Sequence, residues 1–329
     1  MKLFTFAICL FLMVGCKSKN KQVETVSTAK GEEVKETVSY LASDELAGRA
    51  SGSQGIENAA QFIENKLKDL GVKPYFDTYR DNFEFEIRSR DTSDTTPPKV
   101  IKAFNVVGYL EGSDAKLKNE FIILGAHYDH IGFSKLVEGD SIANGANDNA
   151  AGTSAVLALA KYFSERKNNK RSLLFCLFSA EENGLKGSEH LAEVLQAENI
   201  NLYTMVNFEM IGVPMKDKAY MAYITGFDKS NMASKINEYA GSEAVGFLPQ
   251  AQEYRLFMRS DNYPFFQQFN VPSQTISTFD FTNYDYYHHV DDESELMDYD
   301  FMANLINTVA PALEKMSNTE TKDIQLNGN

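Results

Sequence analysis

Histidines and carboxylates that could bind metal ions or move protons recur in this chain directly after short apolar runs. Continuous apolar runs of this length are typical of buried strands in a mainly parallel sheet. Ligands of open α/β sheets collect where such strands end, so we expect these side chains to meet at one edge of a sheet. The residues are His127 after the run 121–124, Glu181 and Glu182 after 173–178, and Glu209 after 205–208.

Two further candidates lie in loops. Asp148 stands in a stretch of small and amide residues, 144–153, that leads into an Ala- and Leu-rich segment with strong helix-forming character. His288 follows a stretch rich in Tyr and Phe, 279–287. An aspartate before a helix often serves only as its cap, and adjacent acids at a helix start favour the helix dipole. Those explanations suffice for each residue alone, but they do not explain the repeated placement of ligand-type residues after strands.

The combined set of two imidazoles and four carboxylates is typical of a zinc site that activates water. Zinc accepts both ligand types, and a shared carboxylate can hold two ions about 3.5–4 Å apart. Of the adjacent acids Glu181 and Glu182, one can bind a metal while the other takes a proton from water. Asp129, two residues after His127, could accept a hydrogen bond from the imidazole and fix its tautomer. The sequence therefore predicts a hydrolytic metal centre.

The elements that must position these residues alternate along the chain. This alternation predicts a single α/β domain, residues 31–329, built as a three-layer sandwich with a mostly parallel central sheet between helices. The segment 41–49 is interpreted as a polar surface turn. Strands are predicted near residues 103, 121, 173, 205, 219 and 273, and helices near 33, 56, 151, 185, 230, 263 and 296.

Composition excludes some partners. The chain has 329 residues and a net charge of -14, which argues against binding to nucleic acid or to an anionic membrane surface. It contains three cysteines, and their positions offer no disulfide framework.

The first 15 residues are predicted to be a secretory signal. An apolar run that is too short to span a membrane ends in Met13-Val14-Gly15-Cys16. This ending resembles a bacterial lipobox, which implies cleavage before Cys16 and lipid attachment there. An ordinary signal peptide with a chance cysteine is the alternative. Residues 16–30 are then a flexible tether, and the protein is expected in the bacterial cell envelope, anchored by lipid and facing the periplasm.

The order of these motifs resembles the co-catalytic di-zinc aminopeptidases, a family that includes secreted bacterial leucine aminopeptidases and, more distantly, glutamate carboxypeptidase and glutaminyl cyclase. The resemblance spans about residues 40–309. It implies two zinc ions per chain and removal of the N-terminal residue from a peptide with a free N-terminus. The motifs are His-x-Asp at 127–129, Gly-Ala-Asn-Asp-Asn-Ala-Ala-Gly at 145–152, Ser-Ala-Glu-Glu-x-Gly-Leu-x-Gly-Ser at 179–188, Asn-Phe-Glu-Met-Ile-Gly at 207–212, and Tyr-His at 287–288.

The resemblance also implies a role for each metal ligand. Asp148 would bridge the two ions, with His127 and Glu209 completing one site and Glu182 and His288 completing the other. The family more often has Asp where Glu209 stands, and the peptide bond after Asp148 is often cis.

Three further residues receive catalytic roles from the resemblance. Glu181 would be the general base towards a metal-bridged water, Asp129 would orient the histidine two residues before it, and Tyr287 would stabilise the oxyanion. The last motif usually continues Thr-Pro after its histidine but here continues His289-Val290, which makes His289 the fallback ligand.

Three other functions stay open at this point. A glutaminyl cyclase would use a related site with one zinc, and a lipid-anchored binding protein would carry a degenerate site. A carboxypeptidase would need a basic pocket for the substrate carboxylate, for which Arg255 and Arg259 are the nearest candidates.

Overall fold

A computed structural model describes residues 29–88 and 95–328. The predicted signal peptide, Cys16 and most of the predicted tether lie outside these residues. The described part contains one large sheet of nine strands and a separate two-stranded hairpin. The strands of the sheet are β1 (Lys73–Pro74), β2 (Arg80–Ile87), β3 (Lys99–Leu110), β4 (Glu120–His127), β7 (Ser172–Phe178), β8 (Asn201–Glu209), β9 (Ala222–Ile224), β10 (Val245–Gly246) and β11 (Ser273–Ser277), and the hairpin pairs β5 (Gly132–Val137) with β6 (Asp140–Ala143).

Parallel pairing at the centre of the sheet creates the edge on which the predicted site depends. The order is β1-β3-β7-β4-β8-β11-β9-β10, with β2 paired to β3. Strands β7, β4, β8 and β11 run parallel to one another, so their carboxyl ends lie side by side. The pairs that involve β3 are antiparallel, as is β9 with β11. The predicted α/β fold is therefore confirmed, with a sheet that is mixed and parallel at its centre.

The described residues also form eight α-helices, most of which contribute to the cores against the sheet. Strand β7 shows why two helical layers form, because every one of its side chains is buried and successive side chains point to opposite faces. Leu173, Phe175 and Leu177 belong to the larger core, whereas Leu174, Cys176 and Phe178 belong to the second. The helices are α1 (Gly31–Leu41), α2 (Gln54–Asp69), α3 (Gly152–Arg166), α4 (Lys186–Ala197), α5 (Met232–Ala240), α6 (Pro249–Glu253), α7 (Asn262–Phe269) and α8 (Tyr299–Asn318).

The two cores lie on opposite faces of the sheet and make the sandwich three layers deep. Helices α1, α2, α3, α5 and α8 contribute to the larger core, and α4 and α7 contribute to the second. Over residues 29–88 and 95–328, no helix combines the length and the hydropathy of a membrane span.

One local prediction is wrong. The segment 41–49, interpreted as a polar surface turn, instead forms a short 3-10 turn, Asp44–Arg49, that inserts Arg49 completely into the protein. The sequence did not indicate this because a buried arginine depends on acceptors from distant segments, which no local pattern reveals.

Candidate metal centre

Three neighbouring parallel strands bring the predicted ligands to one edge of the sheet. His127 is the last residue of β4 and Glu209 is the last residue of β8. Glu181 and Glu182 lie in the turn that follows β7. Because β7, β4 and β8 are adjacent and parallel, these side chains converge as the strand-end argument predicts.

The first group of ligand atoms comes from His127, Asp148 and Glu209. The Nε2 atom of His127 lies 2.9 Å from Oε1 of Glu209 and 3.3 Å from Oδ1 of Asp148. One atom from each of the three residues lies within 4.8 Å of the others. Ser260 donates a hydrogen bond of 2.9 Å to the other oxygen of Glu209, which leaves Oε1 directed at the group. The longer glutamate therefore reaches the position where the family more often has aspartate.

The second group lies on the other side of Asp148. Its Oδ2 atom is 3.3 Å from Nε2 of His288, and that nitrogen is 3.0 Å from Oε2 of Glu182. The remaining oxygen of Glu182 lies 2.8 Å from Nδ1 of His130, a residue to which the sequence analysis gave no role. One atom each from His130, Asp148 and Glu182 also lie within 4.8 Å of one another. Asp148 is thus the residue common to both groups.

His289 points elsewhere. Its Nδ1 accepts a hydrogen bond from the main-chain N–H of Asp291, and 38 % of its side chain is exposed. Of the two adjacent histidines, only His288 contacts the carboxylates of the second group.

The atoms of the second group suit a cation, because several of them are buried without a hydrogen-bond partner among the described residues. These atoms are Nδ1 and Nε2 of His130, Oε1 of Glu182 and Nε2 of His288. Buried polar atoms are nearly always paired, and exceptions mark positions completed by an ion or water. Imidazole nitrogens and carboxylate oxygens are the ligands that zinc accepts, so the residues present fit zinc.

The charges of the two groups compensate one another. Burial lowers the pKa of His127, but Glu209 and other nearby carboxylates raise it well above its usual value. Burial likewise lowers the pKa of His288, yet the adjacent carboxylates of Asp148 and Glu182 raise it to about 10. Conversely, burial raises the pKa of Asp148, but its histidine partners bring it well below the usual range. A cluster of this kind holds protons in place of metal ions and must release them to bind metal.

The loop that carries Asp148 is fixed by a residue the sequence analysis missed. Asp292, which is buried, accepts hydrogen bonds from the main-chain N–H groups of Asn147 (2.7 Å) and Asp148 (3.0 Å). The hydroxyl of Tyr284 donates a third bond, of 2.6 Å, to the same carboxylate. The peptide bond between Asp148 and Asn149 is cis, as the resemblance implied.

Arg49 ties together the two segments that carry the ligands. Its guanidinium donates to the carbonyl of Tyr128 (2.9 Å), beside the His127 motif, and to those of Asn144 (2.5 Å) and Gly145 (3.0 Å), in the Asp148 loop. It also donates to the carbonyl of Leu41. Burial lowers the pKa of Arg49 to about 10, so the group stays cationic at neutral pH behind the acidic centre.

Glu181 and Asp129 lie next to the ligands and are connected to each other. Asp129, fully buried, accepts a hydrogen bond of 3.2 Å from the main-chain N–H of Glu181. Its carboxylate lies 3.6 Å from Nδ1 of His127, and its main-chain carbonyl is closer to the same nitrogen, at 3.2 Å. Burial, reinforced by neighbouring carboxylates, raises the pKa of Glu181 well above its usual value.

A cavity of about 90 Å³ opens beside the first group. Asp148, Glu181 and Glu209 form its acidic end, and Arg259 lines it as well. The ring of Tyr287 stacks on that of His288 with 3.9 Å between centroids, which places the phenol in the wall of the cavity. The other lining side chains are mainly apolar or hydroxyl-bearing: Met210, Tyr223, Thr225, Leu256, Ser260, Thr275, Ser277, Phe279 and Phe281.

Comparison with known proteins identifies peptidases as relatives of this chain. The model of peptidase family M28 matches residues 105–313, which is 209 of the 329 residues. A "Probable zinc metalloprotease" of Pyrenophora teres is 35 % identical over 108 residues, 32 % of this chain and 22 % of that protein. Aminopeptidase YwaD of Bacillus subtilis is 28 % identical over 144 residues, 44 % of this chain and 29 % of that protein. These matches span less than a third of either relative.

Solved structures share the fold over nearly the whole described chain. The zinc aminopeptidase BSAP of Bacillus subtilis superposes with a TM-score of 0.67 at 17 % identity, over 90 % of this chain and 98 % of that one. The glutaminyl cyclase of Porphyromonas gingivalis has the same TM-score, 0.67, at 14 % identity, over 88 % and 99 %. Because the two scores are equal, the fold alone does not distinguish a peptidase from a cyclase.

Proposed function

Because this chain belongs to peptidase family M28, we propose that it is a zinc-dependent exopeptidase that removes the N-terminal residue of peptides. The observation that carries the proposal is the pair of ligand groups that share Asp148, with His127 and Glu209 on one side and Glu182 and His288 on the other. Two ions held by one shared carboxylate are typical of hydrolytic two-metal sites. We therefore assign two zinc ions to each chain.

Bound zinc would supply a Lewis acid for the scissile carbonyl and lower the pKa of the attacking water. Glu181 is the proton carrier, because its carboxylate faces the same cavity as Asp148 and Glu209 and is not needed as a ligand. It takes the proton of the attacking water and returns it to the leaving amine nitrogen.

Two more residues assist this chemistry. Asp129 holds the main chain at Glu181 through its carboxylate and the imidazole of His127 through its main-chain carbonyl, the role that the outer partners of metal-bound histidines normally have. Burial and the nearby carboxylates raise the pKa of Tyr287, so its hydroxyl keeps its proton at neutral pH. Tyr287 can therefore donate a hydrogen bond to the oxyanion that forms on the substrate carbonyl.

The cavity suits one substrate side chain. Its volume of about 90 Å³ is far below the ~300–1,000 Å³ of pockets that enclose larger ligands. Its walls combine aromatic and aliphatic side chains with serine and threonine hydroxyls, and the acidic end next to the ligands offers partners for a substrate ammonium group. A free N-terminus with an apolar first side chain fits these features.

We extend the proposal to the location of the protein. The lipobox-like ending at Cys16 supports a lipid-anchored protein of the bacterial cell envelope that faces the periplasm. Incorporation of a radiolabelled fatty acid into the full chain, and its loss in Cys16→Ala, would test the anchor.

Two alternatives are favoured by particular observations. A glutaminyl cyclase is supported by the structural neighbour with an equal TM-score, but the complete first group, His127, Asp148 and Glu209, supports a second ion that a one-zinc site does not need. A carboxypeptidase is supported by Arg259, which lines the cavity. Arg255 lines a different cavity and does not add to that case.

A substrate panel separates these functions. We expect the zinc-loaded protein to hydrolyse leucine amide and a free-amine peptide such as Leu-Gly-Gly, but not the N-acetylated counterparts. Cleavage of the acetylated peptides would indicate a carboxypeptidase or endopeptidase. Formation of pyroglutamate from peptides that begin with glutamine, without hydrolysis of the others, would indicate a cyclase.

A further inference from the structure

The second ligand group contains one more imidazole than the first. His130 is buried, with 1 % of its surface exposed, and neither ring nitrogen has a hydrogen-bond partner among the described residues. Leaving buried polar atoms unpaired destabilises a fold. A neutral imidazole also has a lone pair that suits a metal ion. These two facts make His130 an unexplained feature of a site that already has His288.

The surroundings of His130 direct its ring at the carboxylates of the second group. Its Nδ1 lies 2.8 Å from Oε1 of Glu182 and 3.9 Å from Oδ2 of Asp148. The ring meets that of His288 edge to face, with 5.6 Å between centroids. Glu182 is thus contacted by a different imidazole at each of its two oxygens.

The Asp148 loop holds this ring in place. Gly145 has a positive φ of 62°, and a Cβ atom there would lie 2.6 Å from Cγ of His130 and 2.3 Å from the carbonyl oxygen of Asp148. The loop can approach the imidazole this closely only because residue 145 is a glycine. The main-chain N–H of His130 also donates a hydrogen bond of 3.3 Å to the carbonyl of Arg49. The Asp148 loop and Arg49 therefore fix the position of the His130 ring as well as that of Asp148.

We infer that His130 is a ligand of the second zinc together with Asp148, Glu182 and His288, so that this ion has four protein ligands while the first has three. This inference rests on the proposed two-zinc centre. Four protein ligands are typical of closed structural zinc sites, whereas catalytic sites have three and keep a position open. The first zinc, held by His127, Asp148 and Glu209, is then the one that exchanges ligands with substrate.

Two variants of His130 distinguish a zinc ligand from a residue that only positions Glu182. His130→Ala removes every function of the imidazole. His130→Asn keeps a donor of similar reach that can hydrogen-bond Glu182, but it is a poor zinc ligand. The matched control is His289→Ala, because His289 is also a histidine of this region but is turned towards Asp291.

The measurement is zinc content and affinity of the full chain, without substrate. Metal-free protein is titrated with zinc against a chromophoric competitor, and urea unfolding in chelator confirms that each variant folds. We expect two zinc ions in the wild type and in His289→Ala. In both His130 variants, one binding step is expected to weaken at least ~100-fold, the upper end of what loss of an outer partner causes, while the other step is unchanged.

Two results would overturn the assignment of His130 alone: unchanged binding of both ions in His130→Ala, or wild-type affinity in His130→Asn. Fewer than two zinc ions in the wild type would overturn the two-zinc centre and this inference together. X-ray absorption of the zinc-loaded wild type gives an answer that needs no variant. We expect three imidazoles shared between two zinc ions, and two imidazoles would contradict the assignment.

Discussion

At the scale of single residues, Glu181 and its neighbour Glu182 have the same chemistry but different surroundings. Glu182 contacts two imidazoles, and these contacts bring its pKa below the usual value although burial acts in the opposite direction. Glu181 is partly buried, and burial together with neighbouring acids raises its pKa. Groups whose environments separate their pKa values in this way take different roles in catalysis.

Glu181→Gln removes the proposed proton carrier and leaves the proposed metal ligands intact. We expect turnover of leucine amide to fall by about 10²–10⁴-fold, the usual contribution of a general base. Zinc content measured by elemental analysis should stay at the wild-type value. The matched control, Glu189→Gln, changes an exposed glutamate of α4 that pairs with Lys186 and should be fully active. Wild-type turnover in Glu181→Gln would rule out its role as base.

The raised pKa values of the histidines predict that zinc and protons compete. In the metal-free protein, the carboxylates of the site raise the pKa of His127 and bring that of His288 to about 10, so His288 carries a proton at pH 7. Zinc binds only the neutral form. We therefore expect protons to be released on zinc loading at neutral pH, and a zinc affinity that rises as the pH approaches about 10.

Calorimetric titration in buffers with different ionisation enthalpies measures this release. A heat of zinc binding that does not depend on the buffer would contradict it. The stability of the metal-free fold changes with pH in the opposite direction from zinc affinity. The raised pKa of His288 stabilises the metal-free fold fully below pH 6.5, and this contribution is lost as the pH rises through about 10.

At the scale of elements, the centre is assembled from strand ends and then fixed by buried polar residues from elsewhere in the chain. Strands β4, β7 and β8 supply the positions of His127, Glu181 with Glu182, and Glu209. Arg49, from the turn after α1, and Asp292, from the segment before α8, hold the Asp148 loop against them.

Arg49→Lys tests this connection because it keeps the charge but loses the planar set of donors. A lysine cannot serve the carbonyls of Tyr128, Asn144, Gly145 and Leu41 together, and unpaired buried acceptors cost about 1–3 kcal/mol each. We expect the free energy of unfolding of the metal-free protein to fall by about 2–4 kcal/mol, measured with urea. Zinc affinity should fall as well.

The control for this variant is Arg88→Lys, which changes an exposed arginine whose side chain forms an ion pair of 3.3 Å with Glu86. Surface changes of this kind usually alter stability by less than about 0.5 kcal/mol. Equal stability of the two lysine variants would show that Arg49 does not connect the ligand-bearing segments.

Sequence patterns predicted the parts of the site that depend on one element and missed those that depend on several. Ligands at strand ends follow from local apolar runs, and the family resemblance supplied the order of the motifs. His130 was missed because it lies three residues beyond the end of β4, where no periodicity fixes the direction of a side chain. Arg49 and Asp292 were missed because their partners are up to 145 residues away. These donors and acceptors come within hydrogen-bonding distance only once the chain has folded.

At the scale of the whole molecule, the site depends on two cores that hold the sheet between helical layers. Helix α8 carries none of the candidate ligands, yet it packs on α1, α3 and α5 and contributes many side chains to the larger core. Its residue Leu305 is fully buried. A substitution on the core side of α8 should therefore lower the stability of the fold without changing the activity of the site.

Leu305→Ala tests that separation. Loss of a buried leucine typically costs about 2–5 kcal/mol, which urea unfolding would show as a lower midpoint with kcat/KM for leucine amide unchanged at 25 °C. The control is Asn304→Ala, at the exposed neighbouring position, which should leave both quantities unchanged. A large loss of kcat/KM in still-folded Leu305→Ala would show that α8 also shapes the site.

The central claim is that Asp148 is shared by two zinc ions, and anomalous diffraction from crystals of the zinc-loaded protein at the zinc absorption edge tests it directly. We predict two peaks about 3.5–4 Å apart, one on each side of the Asp148 carboxylate, with His127 and Glu209 next to one peak and Glu182 and His288 next to the other. A single peak, or a second peak away from Asp148, would contradict the two-metal account and favour the one-zinc alternative.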